Sequence, residues 1–191
     1  MAISERLKRY LAESRVAHSS GKHAVVYTAQ EIAAAQHISG HQLAKSVLVK
    51  TEQGPVLVVL PAVQLIDLKR LKAFLRAKSL RIAKEADIRQ QFPDIEVGAM
   101  SPFGNLYNVP VVVDRSLTEH PSIAFNAGSH TDTITLRSQD FLRLVKPKVG
   151  AFGQLVGGPK KKKAKKPAAK RSARKPARSS NARPKAKKRR R

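Results

Sequence analysis

A chain of 191 residues with 38 Lys+Arg against 13 Asp+Glu carries a formal charge of +25, and it holds no cysteine and no tryptophan. The missing cysteines exclude a disulfide framework, a thiolate nucleophile and a thiolate-held zinc. Eighteen of the basic residues and none of the acidic ones fall in 158–191, which leaves +7 on the first 157 residues, enough chain for one domain with a core.

The first segment, ISERLKRYLAES, sets Ile3, Leu7, Tyr10 and Leu11 on one face and offers Ser4 as an N-cap. That pattern predicts an amphipathic helix and lacks the apolar stretch of a secretion signal. HAVVYT predicts a strand, and TAQEIAAAQH predicts a helix, with Thr28 and Glu31 at capping-box spacing and Ser39-Gly40 as its stop. Two β-rich runs within LAKSVLVKTEQGPVLVVLPA flank Glu52-Gln53-Gly54-Pro55 and predict a hairpin. The longest apolar run, Val56 to Val63, is too short to span a bilayer and contains Pro61. Leu68, Leu71, Phe74 and Leu75 return to helical spacing; LRIA then reads as a short strand and KEADIRQQF as a short helix closed by Pro93. VPVVVD, SIAFNAG and TDTITL predict three strands, after which Ser138 is expected to cap a last helix, SQDFLRLV, that Pro147 ends.

Tight turns between successive strands demand antiparallel neighbours. The interleaved pattern therefore predicts an α/β domain at 1–157 with a mixed, mainly antiparallel, barrel-like sheet flanked by helices. Residues 158–191, rich in Lys, Arg, Ala and Pro, lack the large apolar side chains that offset ordering entropy, so a disordered tail is expected. Charge and composition together predict a soluble, cytoplasmic protein with no membrane partner.

Three patches invite a functional reading: Lys45 with Ser46, the loop from Gly98 through Ala99, Met100, Ser101, Pro102 and Phe103 to Gly104, and Gly128, Ser129 and His130 within FNAGSHTDT. Each has an ordinary counterpart, namely a surface charge, a turn and a hairpin tip. Their order and spacing, in LAKSVLVK, GAMSPFG with its G-x-x-x-P, and AFNAGSHTDTITL, resemble the YbaK/ProX family of aminoacyl-tRNA trans-editing deacylases, which is related to the editing insertion of bacterial prolyl-tRNA synthetases. The resemblance runs from about Tyr27 to Leu144.

It implies a mixed α/β barrel-like fold and hydrolysis of the ester between a wrong amino acid and the tRNA 3′ end. Lys45 would be the catalytic residue, positioning the ester and offsetting negative charge. The loop Gly98 to Gly104 would cradle the aminoacyl-adenosine end, and Gly128, Ser129 and His130 would form the second pocket wall. Some members that edit alanine carry Asn after the lysine; Ser46 stands there in this chain, so the edited amino acid stays open. An activated ester needs a placed water and fixed donors for its oxyanion rather than a strong nucleophile, and a glycine-rich segment lets main-chain amides come close. The resemblance implies mischarged tRNA and an aminoacyl-tRNA synthetase as partners, with no cofactor; the basic tail, which is not part of the family's usual domain, is expected from its charge to bind nucleic acid non-specifically.

Other chemistries fit less well. Ser129, His130 and Asp132 invite a triad, but neighbours on an extended strand point to opposite faces. No G-x-S-x-G exists; His37 and His41 share helical spacing across an interrupting Ser39-Gly40, with no H-E-x-x-H and no Walker loop. A rival from another class is a non-catalytic nucleic-acid-binding protein, in which a degenerate editing fold carries a histone-like tail.

Overall fold

Apolar β-branched runs make the centre of this molecule. The computed structural model describes residues 3–22 and 38–155. The strand expected at HAVVYT, the helix expected from Thr28 onward with His37, and the basic tail at 158–191 lie outside the described residues.

Helix α1 (Glu5–Glu13) buries Leu7 and Leu11, as its spacing predicts. Ser4 sits at its N-cap position but makes no capping bond; its hydroxyl donates instead to Asp94, 3.1 Å away. Strand β1 (His18–Lys22) was not expected, because HSSGK has neither apolar alternation nor β-branched residues; pairing with β8 (Asp132–Arg137) makes it a strand. The hairpin forms as predicted from β2 (Leu43–Thr51) and β3 (Gly54–Pro61), with Thr51 opposite Gly54 across a two-residue turn. A three-residue strand β4 (Gln64–Ile66) follows, then α2 (Leu68–Leu75), whose cap Asp67 accepts the N–H groups of Lys69 and Arg70.

Strand β5 (Leu80–Ile82), α3 (Glu85–Gln91), β6 (Val111–Asp114), β7 (Ser122–Asn126) and α5 (Ser138–Val145) lie where the patterns place them. Four short elements carry no periodic signal: the 3-10 turn Gly104–Tyr107, α4 (Arg115–Thr118) capped by Asp114, β9 (Lys148–Gly150) and β10 (Gly153–Leu155). Ser138 is not the cap of α5. Arg137 occupies that position, and the Ser138 hydroxyl donates to the His120 carbonyl, tying the helix start to the turn before β7.

Eight strands form one mixed sheet in the order β1-β8-β7-β2-β3-β6-β9, with β5 also on β2. The β1–β8, β7–β8, β2–β3 and β2–β5 pairs are antiparallel; β2–β7, β3–β6 and β6–β9 are parallel. The expected mixed, mainly antiparallel character is present, but the sheet is open rather than barrel-like. After β9 the chain turns away, and β10 pairs with β4 in a separate ribbon, so among the described residues no strand bridges the β1 and β9 edges.

The main core fills one face of the sheet around Phe103, whose ring meets Tyr10, Phe125 and Phe141 with centroids 6.0, 5.5 and 5.9 Å away. On the other face lie a small cluster of Leu43, Ala62 and Ala124 and a larger one of Val49, Val58, Leu71, Val112 and Phe152.

Asp114 locks the far end of this arrangement. Its buried carboxylate caps α4 through Ser116 and accepts the N–H groups of Phe152, at 2.8 Å, and Gly153. Burial alone would raise its pKa, but the bonds from Ser116, Gly153 and Phe152 outweigh that and hold it below the ordinary carboxylate value. The carboxylate's stabilisation is therefore present above the unfolded pKa of about 3.9 and lost as pH falls through the lower folded one. Replacing Asp114 with Asn should cost about 1–3 kcal/mol in urea melts at pH 7, and the deficit should shrink at pH values below that unfolded pKa.

Candidate active site

Strand β2 divides one of its edges between two partners. Leu43 and Ala44 pair with β7, whereas Val49, Lys50 and Thr51 pair with β5, and the Leu48 carbonyl accepts from Ala83 N–H. Residues 45–47 run between these ladders with no strand partner on that edge among the described residues, and all three are partly exposed. The other edge stays zipped to β3, with Lys45 opposite Leu60 and Ser46 opposite Val59. A stiff strand thus carries a side chain into a gap in the sheet.

Lys45 is that side chain. Period-2 alternation puts it on the face of Leu43, and Leu43 packs with Ala62 and Ala124. Its Nζ donates to the Ala62 carbonyl, a long bond of 3.4 Å, and among the described residues it makes no ion pair. Burial lowers its pKa, because desolvation penalises the ammonium form. Ser46 points the opposite way, with Ala44 and Leu48 toward the main core; its Oγ is buried and has no hydrogen-bond partner among the described residues.

The other two patches are stitched together at the end of β7. Gly128 N–H donates to the Ala99 carbonyl at 3.1 Å, and Glu96 N–H donates to the Gly128 carbonyl at 3.0 Å. The Glu96 carboxylate accepts the main-chain N–H of His130 at 2.9 Å, while His130 Nε2 lies 3.0 Å from the Val97 carbonyl. The His130 ring then covers Gly98, where a Cβ would come 3.3 Å from its Cε1. Gly98 and Gly128 both have positive φ, +93° and +106°, a region that side chains disfavour. Beneath Gly128 lies Ser4, whose N–H donates to the Ala127 carbonyl at 2.9 Å and whose hydroxyl shares Asp94 with Tyr107.

Within the loop, the side chains of Met100 and Phe103 belong to the main core, and Gly104 packs where a Cβ would strike the Val109 carbonyl at 2.7 Å. Ala99, Ser101 and Pro102 are buried as well. The residues named in this loop therefore present main chain rather than side chains. The N–H groups of Met100 and Ser101 donate to no acceptor among the described residues, although both residues are buried.

Ser129, fully buried, donates to Asp132 at 2.6 Å, and Thr131 donates to the same carboxylate oxygen at 2.8 Å. The Ser129 bond, helped by Thr131, holds the Asp132 pKa below its usual value against the opposing effect of burial. With Ser129 bonded to Asp132 and the His130 ring turned to Val97, no Ser-His-Asp relay exists. Among the described residues no cluster could hold a metal ion, and no helix is long and apolar enough to cross a membrane. A groove of about 530 Å³ opens at the far end of β2 between Thr51, Pro55, Phe74 and Lys146, and no motif residue lines it.

So β2 carries Lys45 past β7 at Ala44, and the end of β7 carries the loop that binds Gly98 and Ala99. The second and third patches touch each other through Gly128–Ala99 and His130–Val97, and the first adjoins β7 at Ala44 and Phe125. Glu96 escaped notice in the sequence because its role is to cross-link two segments 34 residues apart, which no local pattern reports.

Known proteins supply an independent comparison. Residues 23–144 match the model of the aminoacyl-tRNA editing domain. The prolyl-tRNA editing protein ProX of Acetoanaerobium sticklandii is 28% identical over 148 residues, covering 74% of this chain and 90% of that protein. The multifunctional Ser/Thr-tRNA deacylase ProXp-y of Escherichia coli K12 is 31% identical over 98 residues, which is 51% of this chain and 58% of that one. A solved structure described as a trans-editing enzyme for prolyl tRNA synthetase superposes with a TM-score of 0.69 at 20% identity, over 79% of this chain and 96% of its own, and shares the fold.

If the Glu96 carboxylate is the clasp, Glu96→Ala should speed hydrogen exchange of the His130 amide by about 10–100-fold, the worth of a bond to a charged acceptor. Glu96→Gln, which keeps a carbonyl oxygen, should recover part of the protection. Amides in β6 should be unaffected in both variants.

Proposed function

We propose, from the premise that the chain belongs to the aminoacyl-tRNA editing domain family, that it hydrolyses the ester of mischarged tRNA in trans, with Lys45 as its catalytic residue. The chain is an aminoacyl-tRNA deacylase. The observation that supports this role for Lys45 best is its partly buried ammonium, without an ion pair among the described residues and bonded only at 3.4 Å to the Ala62 carbonyl, on the stretch of β2 just beyond its ladder with β7.

Water adds to the ester carbonyl carbon, the carbonyl oxygen becomes an oxyanion, and the bond to the ribose oxygen then breaks. That ribose oxygen leaves with a proton, and the amino acid departs as its carboxylate. In this reading, the amides of Met100 and Ser101 receive the oxyanion, with Gly98 leaving the approach open. Fixed donors of this kind are each worth on the order of 10²–10³ in rate. Lys45 contributes as a cation: its charge is costly in the free enzyme because burial disfavours it, and negative charge developing on the substrate relieves that cost. Gly128, Ser129 and His130 form the wall that fixes the loop, and Ser129 is tied to Asp132 rather than to a substrate.

We assign the editing domain to 1–157 and read 158–191 as a basic arm that raises tRNA affinity, in a cytoplasmic protein that meets mischarged tRNA and a synthetase. With 18 Lys/Arg and no aromatic residue, the arm fits phosphates rather than bases.

Lys45→Ala should nearly abolish deacylation of a susceptible mischarged tRNA while leaving the urea midpoint close to wild type; full activity in that variant overturns the assignment. Because a cation is needed, kcat/KM should decline as pH rises through a Lys45 pKa below the ordinary 10.4 or so. Lys45→Arg should remove that decline at the expense of overall rate. Truncation after Gly157 should retain deacylation. The full chain should lose tRNA affinity with log salt at a slope of about −4 to −7 if roughly 5–8 tail charges meet phosphates, and the truncated chain should show a shallower slope. DNA binding as the only surviving behaviour would favour the non-catalytic rival.

A further inference from the structure

Asn126 closes strand β7, and its side-chain oxygen is buried with no hydrogen-bond partner among the described residues. Leaving a buried carbonyl unpaired costs about 1–3 kcal/mol, and native proteins rarely tolerate it without use. Ser46 and Gln64 also carry an unpaired buried oxygen, but Ser46 points toward the main core and Gln64 belongs to the β4–β10 ribbon. Asn126 stands elsewhere. In the parallel β2–β7 register, Leu43 pairs with Ala124 and Ala44 with Phe125, so the next neighbours are Lys45 and Asn126. Alternation puts Asn126 on the face of Ala124 and Lys45 on the face of Leu43, and Ala124 and Leu43 pack in one cluster with Ala62. The Lys45 Nζ reaches the Ala62 carbonyl over that cluster. Lys45 and Asn126 therefore rise side by side from one small apolar floor, at the point where β7 leaves β2.

We propose that Asn126 is a specificity-determining residue that accepts a hydrogen bond from the α-amino group of the aminoacyl ester. The chemistry of the site favours a neutral acceptor there. A carboxylate beside Lys45 would pair with the ammonium and compete with the developing oxyanion, whereas an amide oxygen can receive an N–H donor without drawing the lysine away. The ester carbonyl lies one bond from the carbon that bears the amino group. One substrate can thus reach both Lys45 and Asn126 across adjacent strands, about 4.8 Å apart. A site built to bond an N–H discriminates against an analogue lacking it, because the buried acceptor is then left unpaired.

This inference rests on the deacylase reading, and the two fail separately. The experiment compares single-turnover deacylation of proline tRNA charged with alanine or serine against the same tRNA carrying propionate or 3-hydroxypropionate, which lack the amino group, in the full-length wild type, Asn126→Ala and Lys45→Ala. Wild type should favour at least one aminoacyl form over its desamino counterpart by about tenfold or more, one hydrogen bond's worth. Asn126→Ala should lose that preference by slowing the aminoacyl substrate while the desamino rate stays within about twofold. A preference that survives in Asn126→Ala, an equal loss on both substrates, or the absence of any preference in wild type overturns the assignment of Asn126. Lys45-dependent hydrolysis in those same assays would leave the deacylase reading standing. No Lys45-dependent hydrolysis of any of the four substrates would overturn both.

Discussion

Everything at the site follows from how one edge of β2 is shared. β7 holds only Leu43 and Ala44, β5 takes over at Val49, and between them the strand is zipped on one side alone. A continuous ladder would have filled the space beside Lys45 with the next strand's side chains. On the face of Lys45 lies a small apolar cluster, Leu43, Ala62 and Ala124. Rigidity and access come from the same device: β3 keeps eight consecutive pairs with β2, so the lysine is delivered by a backbone that cannot yield.

The loop from Gly98 to Gly104 is stiff for a different reason. Its outer residues are tied by hydrogen bonds to the β7–β8 connection, with Glu96 clasping Gly128 and His130. Its inner residue Phe103 is anchored among three aromatic rings. Ser4 supports the same connection from below, joined through Asp94 to Tyr107, whose phenol burial pushes up to about 12. The N-terminal segment is therefore part of the scaffold that holds the β7–β8 connection.

Placement of charge completes the picture. Lys45 has no carboxylate partner among the described residues, whereas Lys50, five residues along the same strand, pairs with Asp87 at 2.9 Å. A paired lysine is neutralised in the fold; an unpaired and partly buried one keeps its field for whatever anion arrives. That contrast along a single strand is one of ion pairing, since both lysines are partly exposed.

Much of this was legible in the amino-acid order. The β2–β3 hairpin, α1, α2, α5 and the three later strands follow from period and turn chemistry, because their apolar residues repeat at spacings set by the backbone itself. The three motifs marked Lys45, Gly98 to Gly104 and Gly128 to His130 by residue type. What the sequence could not contain was pairing at a distance. HSSGK becomes a strand only because β8 offers an edge, β10 leaves the main sheet to pair with β4, and Glu96 and Asn126 acquire meaning only through residues far along the chain. Residue order determined which segments would be helices, strands and turns, since those are local balances of sterics and burial; the tertiary structure alone decided where β7 parts from β2, since that depends on competition between two strands for one edge.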